Sequence, residues 1–320
     1  MHGSPIPAPL LPNPFPVSRY RLYCRVARAL HLPDYAGSTL RGVLGHALKD
    51  LVCVTRQPVC ETCAIYRSCA YPSIFERPAP SGYPAAALRH APNPFAVEPA
   101  SWGALDLPRG ADFNFDLVLI GPVLAQLPLI VRAWQEGLAR NVGRGQGSAR
   151  VQCVQHLESG HVIWHEDTDT FLAHNQVIAL PMPDSVQVEV TLNFITPLRL
   201  QQHGRILDAG DLTAGDVLIA LLRRAALLLE LQLGRATGWH FDDLHAQARS
   251  TRGNGTLRWR DWTRYSNRQQ RAMTLGGLVG RYTIADIADT WWPLLYLGQW
   301  LHVGKNASLG MGGYRIGVAG

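Results

Sequence analysis

The chain passes twice through one order of strand and helix signals, and this repetition limits its fold more than any single motif. In the first pass, residues 19–28 alternate as a strand, with Tyr20, Leu22, Cys24 and Val26 on one face. Leu40, Val43, Leu44, Ala47, Leu48 and Leu51 then recur at helical spacing, with Ser38 placed to cap them. A strand over 112–120, an amphipathic helix over 127–138, a glycine loop over 141–147 and a strand over 149–156 follow. The second pass reads strand 186–195, helix 212–233, a hairpin-like pair 256–261 and 272–283, helix 287–303, a glycine loop and strand 314–318. Two βαββαβ units, each with a glycine-rich loop before its last strand, predict an α+β fold of tandem ferredoxin-like (RRM-like) domains. One strand of the first unit is not legible. The expected division is a flexible tail over 1–17, with six prolines in its first 16 residues, a first domain over 18–157, a linker over 158–185 and a second domain over 186–320.

The second glycine loop carries Lys305, Asn306 and Ser308 among glycines at 304, 310, 312 and 313. Glycines there allow positive φ and close backbone approach, and the lysine and hydroxyl suit a phosphate chain. A nucleotide-binding P-loop is excluded. It needs four residues between its first glycine and Gly-Lys, whereas five separate Gly298 from Gly304, and a strand follows instead of a helix. A glycine-rich turn with no ligand is the plain alternative.

With 47% hydrophobic and 17% charged residues, the 320-residue chain has enough apolar material for two cores, and its net charge of +6 favours a polyanionic partner. The most apolar stretch, 217–233, is interrupted by Arg223 and Arg224, so no spanning helix is expected. No secretory signal is recognised, which makes the cytoplasm the expected compartment. Four of six cysteines (Cys53, Cys60, Cys63 and Cys69) crowd into 17 residues, within an insertion read as 53–80. Such crowding in a reducing compartment favours a metal over disulfides. Four thiolates suit structural zinc, with an iron–sulfur cluster as second choice, and leave zinc no open position for chemistry.

Seven arginines, at 252, 258, 260, 264, 268, 271 and 281, face a single acid, Asp261, between Ser250 and Arg281, with Trp259, Trp262 and Tyr265 interleaved. Arginine forks grip phosphates and aromatic planes accept unstacked bases, a combination suited to single-stranded or looped RNA. A solvated hairpin whose tryptophans reach the core is the competing reading.

Several separated segments resemble the RAMP superfamily, and within it the CRISPR precursor-RNA processing endoribonucleases. They are Leu32-Pro-Asp-Tyr-Ala-Gly-Ser-Thr-Leu-Arg-Gly-Val-Leu-Gly-His46, Cys60-Glu-Thr-Cys63 running to Tyr71, Gly143-Arg-Gly-Gln-Gly147, Phe194-Ile-Thr-Pro-Leu-Arg199, Arg264-Tyr-Ser-Asn-Arg-Gln269 and His302-Val-Gly-Lys-Asn-Ala-Ser-Leu-Gly310. The form with a cysteine lobe looks like the one often beside type III systems. The resemblance implies two ferredoxin-like domains, a C-terminal glycine loop touching RNA, and cleavage within the CRISPR repeat. No small-molecule cofactor and no membrane partner are expected, and effector-complex subunits are further candidate partners.

Cleavage of this kind uses the substrate's own 2′-hydroxyl and needs a base, a cation and an acid, but no catalytic metal. Histidine is the natural base at neutral pH. Of twelve histidines, His46 stands on the polar face of the first helix near Lys49. His302 lies beside the glycine loop at a helix end, where the dipole favours a cation, and His31 precedes the first helix. These three and Lys305 are the candidate catalytic residues. Lys49, Arg144, Arg264, Arg268, Lys305, Asn306 and Ser308 are the candidate RNA contacts. Two rivals remain: a RAMP-fold subunit that holds guide RNA without cutting it, and a zinc-stapled structural subunit.

Overall fold

Each half of the chain builds an antiparallel sheet with its first and third strands at the centre. The computed structural model describes residues 10–76, 91–143, 147–181, 189–266 and 271–317. The first half contains β1 (Val17–Arg28), β2 (Leu30–Leu32), α1 (Gly37–Val52), α2 (Ala70–Phe75), β3 (Phe95–Pro99), β4 (Leu105–Leu107), β5 (Asp112–Ile120), α3 (Leu127–Ala139), β6 (Ser148–His156) and β7 (Val162–His165). The second contains β8 (Glu189–Leu198), β9 (Gln201–Gln202), β10 (Arg205–Ile206), α4 (Ala214–Gln232), α5 (Phe241–Ser250), β11 (Arg252–Ser266), β12 (Arg271–Ala285), α6 (Trp292–Leu301) and β13 (Tyr314–Gly317). The strand orders are β3-β5-β1-β6-β7 and β11-β12-β8-β13. With the added edge strand β7 set aside, both read second, third, first, fourth. This is the ferredoxin-like order, formed twice.

The unread strand is β3. It has five residues, four of them buried, so both of its faces are covered and it shows no alternation. The same burial recurs in β5. Phe115, Leu117 and Leu119 enter the core formed with α1 and α3, whereas Val118 and Ile120 on the opposite face join the core of the second half. The two units are therefore packed sheet against partner, not strung on a linker.

Three expectations change. Ser38 lies inside α1, whose cap position is Ala36, with no side-chain capping bond. The expected flexible tail is held from Leu11 onward, because Leu11 and Phe15 are buried and Phe15 pairs with Ile178. Residues of the expected linker supply β7 and that strap.

The glycine loop before β13 has another use than the one expected. Gly310, Met311, Gly312 and Gly313 are buried. The Tyr35 hydroxyl donates to the Leu309 carbonyl at 2.8 Å, and Thr196 Oγ1 donates to the Gly310 carbonyl at 2.7 Å. A Cβ at Gly37 would overlap the Leu309 carbonyl, and one at Gly310 would overlap that of Val97. These glycines let the second unit's backbone lie against α1 and β3 of the first. Gly37→Ala is accordingly expected to lower stability by about 1–3 kcal/mol through overpacking. The readout is the urea midpoint at unchanged m-value.

No helix among the described residues is long and apolar enough to cross a membrane.

Candidate nucleic-acid interface and cleavage cleft

A cleft of about 800 Å³ opens between α1 and the end of β11, and both His31 and His46 line it. Helix α1 turns Leu40, Leu44, Ala47 and Leu48 inward, which leaves His46 on its solvent side. The His46 ring is exposed and makes no hydrogen bond with a described residue. His31 reaches the cleft from β2. That strand pairs with β4, so His31 lies opposite Asp106, and its Nδ1 stands 2.5 Å from the Asp106 carboxylate. The carboxylate accepts, so Nδ1 carries the proton and Nε2 is left as the free ring nitrogen. The histidine side chain is half exposed.

Around these rings stand Ser38, Thr39 and Arg140 from the first unit and Asp261 and Trp262 from the second. Arg140 follows the last residue of α3, and one of its nitrogens pairs with Asp50 at 2.6 Å. The remaining donors of a guanidinium fork stay available for an anion. The sequence reading missed Arg140. Its only signal was its place between a helix end and a glycine loop.

His302 is placed elsewhere. It is 1% exposed, with Nδ1 3.0 Å from the Met311 carbonyl and Nε2 2.6 Å from Glu98 Oε1. Both partners accept, so the ring donates from both nitrogens and has no lone pair to take a proton. Glu98 also meets the Arg19 guanidinium at 2.9 Å. Burial pushes the Glu98 carboxyl up, but Arg19, the His302 hydrogen bond and Arg315 outweigh it and hold the group well below the usual carboxylate range. This charged node joins β1 and β3 to α6 and β13.

Lys49, expected with His46 on the polar face of the first helix, instead lines the cysteine cavity, with its ammonium 5.6 Å from the Tyr71 ring centre. Lys305 is exposed, and its backbone N–H donates to Arg199, but neither it, Asn306 nor Ser308 lines the cleft. Arg144 and Arg268 lie outside the described residues, as does the Arg264 side chain.

Cys53, Cys60, Cys63 and Cys69 line one small cavity between the end of α1 and α2, of about 20 Å³. Their type and number fit a tetrahedral thiolate site. Among the described residues, however, no three possible ligands stand close enough together to hold a metal ion.

A protein with two ferredoxin-like units, a basic hairpin and a histidine-lined cleft between them is built for a nucleic-acid strand. Comparison with known proteins narrows that class. A model described as the CRISPR-associated endoribonuclease Cas6 matches residues 192–314, and one described as an N-terminal domain matches residues 15–176. Over residues 192–314 the chain thus belongs to the family of the CRISPR-associated endoribonuclease Cas6. An uncharacterized protein of Archaeoglobus fulgidus is 22% identical over 294 residues, covering 89% of this chain and 93% of its own. A Thermus thermophilus Cas6 product complex superposes with a TM-score of 0.57 at 15% identity, over 93% of this chain and 99% of that one. A second Cas6 product complex gives 0.53 at 18%, over 94% and 100%. A chain of a partial Cas6-RT-Cas1–Cas2 complex gives 0.58 at 14%, covering 96% of this chain, which spans only 47% of that one.

Proposed function

We propose that this chain cuts CRISPR precursor RNA within its repeats by transesterification, releasing guide RNAs. The reading is supported most by one observation: His31 and His46, on the successive elements β2 and α1, line the same cleft, whose other wall Asp261 and Trp262 of the second unit supply. His46 takes the proton of the 2′-hydroxyl at the scissile nucleotide. The 2′-oxygen bonds to phosphorus, and the P–O5′ bond breaks as His31 delivers a proton to the leaving oxygen. Asp106 orients the His31 ring and balances the positive charge its acid form carries. Arg140 faces the charge that grows on the non-bridging oxygens. Lys305, Asn306 and Ser308 hold the RNA outside the cleft, and Arg144, Arg264 and Arg268 are further proposed RNA contacts.

The expected products are a 2′,3′-cyclic phosphate and a 5′-hydroxyl, formed at an unchanged rate in chelator. End-group analysis of repeat RNA cut by the purified chain tests this. A 5′-phosphate product, or RNA bound but left intact, rules the reading out.

We further propose that the four cysteines hold structural zinc, which organises the lobe and takes no part in the chemistry. Elemental analysis is expected to find one zinc per chain, lost in Cys60→Ser together with a lower Tm. Four freely titrating thiols in protein of undiminished Tm would exclude a metal.

A further inference from the structure

A second groove, of about 700 Å³, lies on the other side of an aromatic wall from the cleft. The wall consists of Trp102, Tyr35 and Trp262, with Tyr35 4.8 Å from each of the two indoles. Trp262 lines the cleft and Trp102 lines the groove. Trp102 comes from the first unit, between β3 and β4, and its indole N–H donates to the Ile195 carbonyl of the second. Ile195 is itself 49% exposed and, with Leu257 and Val279, gives the groove an apolar floor.

Arg258, Arg260 and Arg281 line this groove. None of their side chains has an ion pair or hydrogen bond with a described residue. Arg260 instead lies over the Trp102 ring, its guanidinium carbon 4.2 Å from the centre. Forks with no ionic partner among the described residues call for an anion, and a guanidinium on an indole is a flat cationic platform on which a base stacks. Arg258 and Arg260 are two apart on β11 and so share a face, about 7 Å from each other. Four residues, about 13 Å, separate Arg258 from Trp262 at the cleft along the same strand. At about 3.4 Å per stacked nucleotide, that is roughly four nucleotides.

We propose that this groove is a second subsite, holding a single-stranded stretch of the same RNA within about four nucleotides of the scissile phosphate. The inference rests on the cleavage reading for the location of that phosphate. Apolar floor, stacked platform and cations without an ionic partner among the described residues together fit an unpaired strand, with its bases inward and phosphates at the rim, better than a duplex.

The test uses repeat RNA with 2′-deoxyribose at the scissile nucleotide, which cannot be cut. It is made in a trimmed form and with a short single-stranded extension on either side, and affinity is read by fluorescence anisotropy over a salt series. One of the two extensions is expected to tighten binding about tenfold or more, as stacking of one or two bases does. Arg258→Gln and Arg260→Gln are expected to remove most of that gain and to lower the salt slope by about one each, with little effect on the trimmed RNA. Trp102→Phe is expected to keep the gain and Trp102→Ala to lose it, in protein whose cooperative melting and undiminished affinity for the trimmed RNA show that the rest of the fold is intact. Equal affinity for trimmed and extended RNA, or arginine variants that weaken both alike, overturns the proposal. Since the probe is uncleavable, a chain that cuts nothing is still tested for this groove, and cutting of unmodified RNA is scored separately.

Discussion

His46→Ala is expected to slow single-turnover cleavage of repeat RNA by about 10²–10⁴-fold, the usual contribution of a positioned proton acceptor. RNA affinity should hardly change. His46 is exposed on α1 and makes no hydrogen bond with a described residue, so its removal leaves no buried partner unsatisfied. His31→Ala is expected to act in the same range, and the double variant to lose less than the product of the two, because base and acid serve one transition state. Lys49→Ala is the contrast. Its side chain lines the cysteine cavity and not the cleft, so cleavage should continue near the wild-type rate. Normal cleavage by both single-histidine variants and by the double variant would falsify the assignment.

Glu98→Ala is expected to cost about 3–5 kcal/mol of stability, because it leaves the buried Arg19 and His302 without their shared counter-charge. Glu98→Gln keeps the shape and one acceptor, and should cost less. The effect has a pH signature. Folding holds the Glu98 carboxyl below its ordinary value, so the native state binds fewer protons there than the unfolded chain. Its contribution is therefore fully present above the unfolded value of about 4.3 and is lost as pH falls below that. Unfolding of the wild type and of Glu98→Gln, followed between pH 7 and pH 3, should show a gap in stability that is constant above about pH 5 and narrows steadily below the unfolded value of about 4.3. A gap that stays constant across that range would show that the carboxylate's charge is not what joins the units.

The histidines show how far composition and spacing reach. His46 was legible because α1 has a clear apolar stripe, and any residue opposite that stripe faces water. His302 shared the same sequence merits, next to a glycine loop and a lysine. Its partner Glu98 lies on β3, the strand of the ferredoxin-like order too short and too thoroughly buried to read. A charge paired across 204 positions leaves no local trace in sequence. The pairing of His46 with Lys49 failed for a simpler reason. The cysteine lobe folds back against the end of α1 and draws the lysine to its own cavity.

The glycine loops carry the same lesson from the other side. Positive φ at Gly304, Gly310 and Gly312 is real, as the spacing implied, but the backbone that approaches so closely is the protein's own. Likewise, Trp259 and Trp262 are three residues apart in one basic strand, yet one is 40% exposed and the other 3%. Local pattern by itself determined the two ferredoxin-like units, the basic hairpin and the exposed face of α1, because these follow from periodicity along a single element. Only the tertiary structure decided which histidines share a cleft, which one is locked in a charged node, and where the arginines find a groove. Those outcomes depend on two sheets packing against each other, and contacts between residues hundreds of positions apart are set by three-dimensional fit and not by neighbours in the chain.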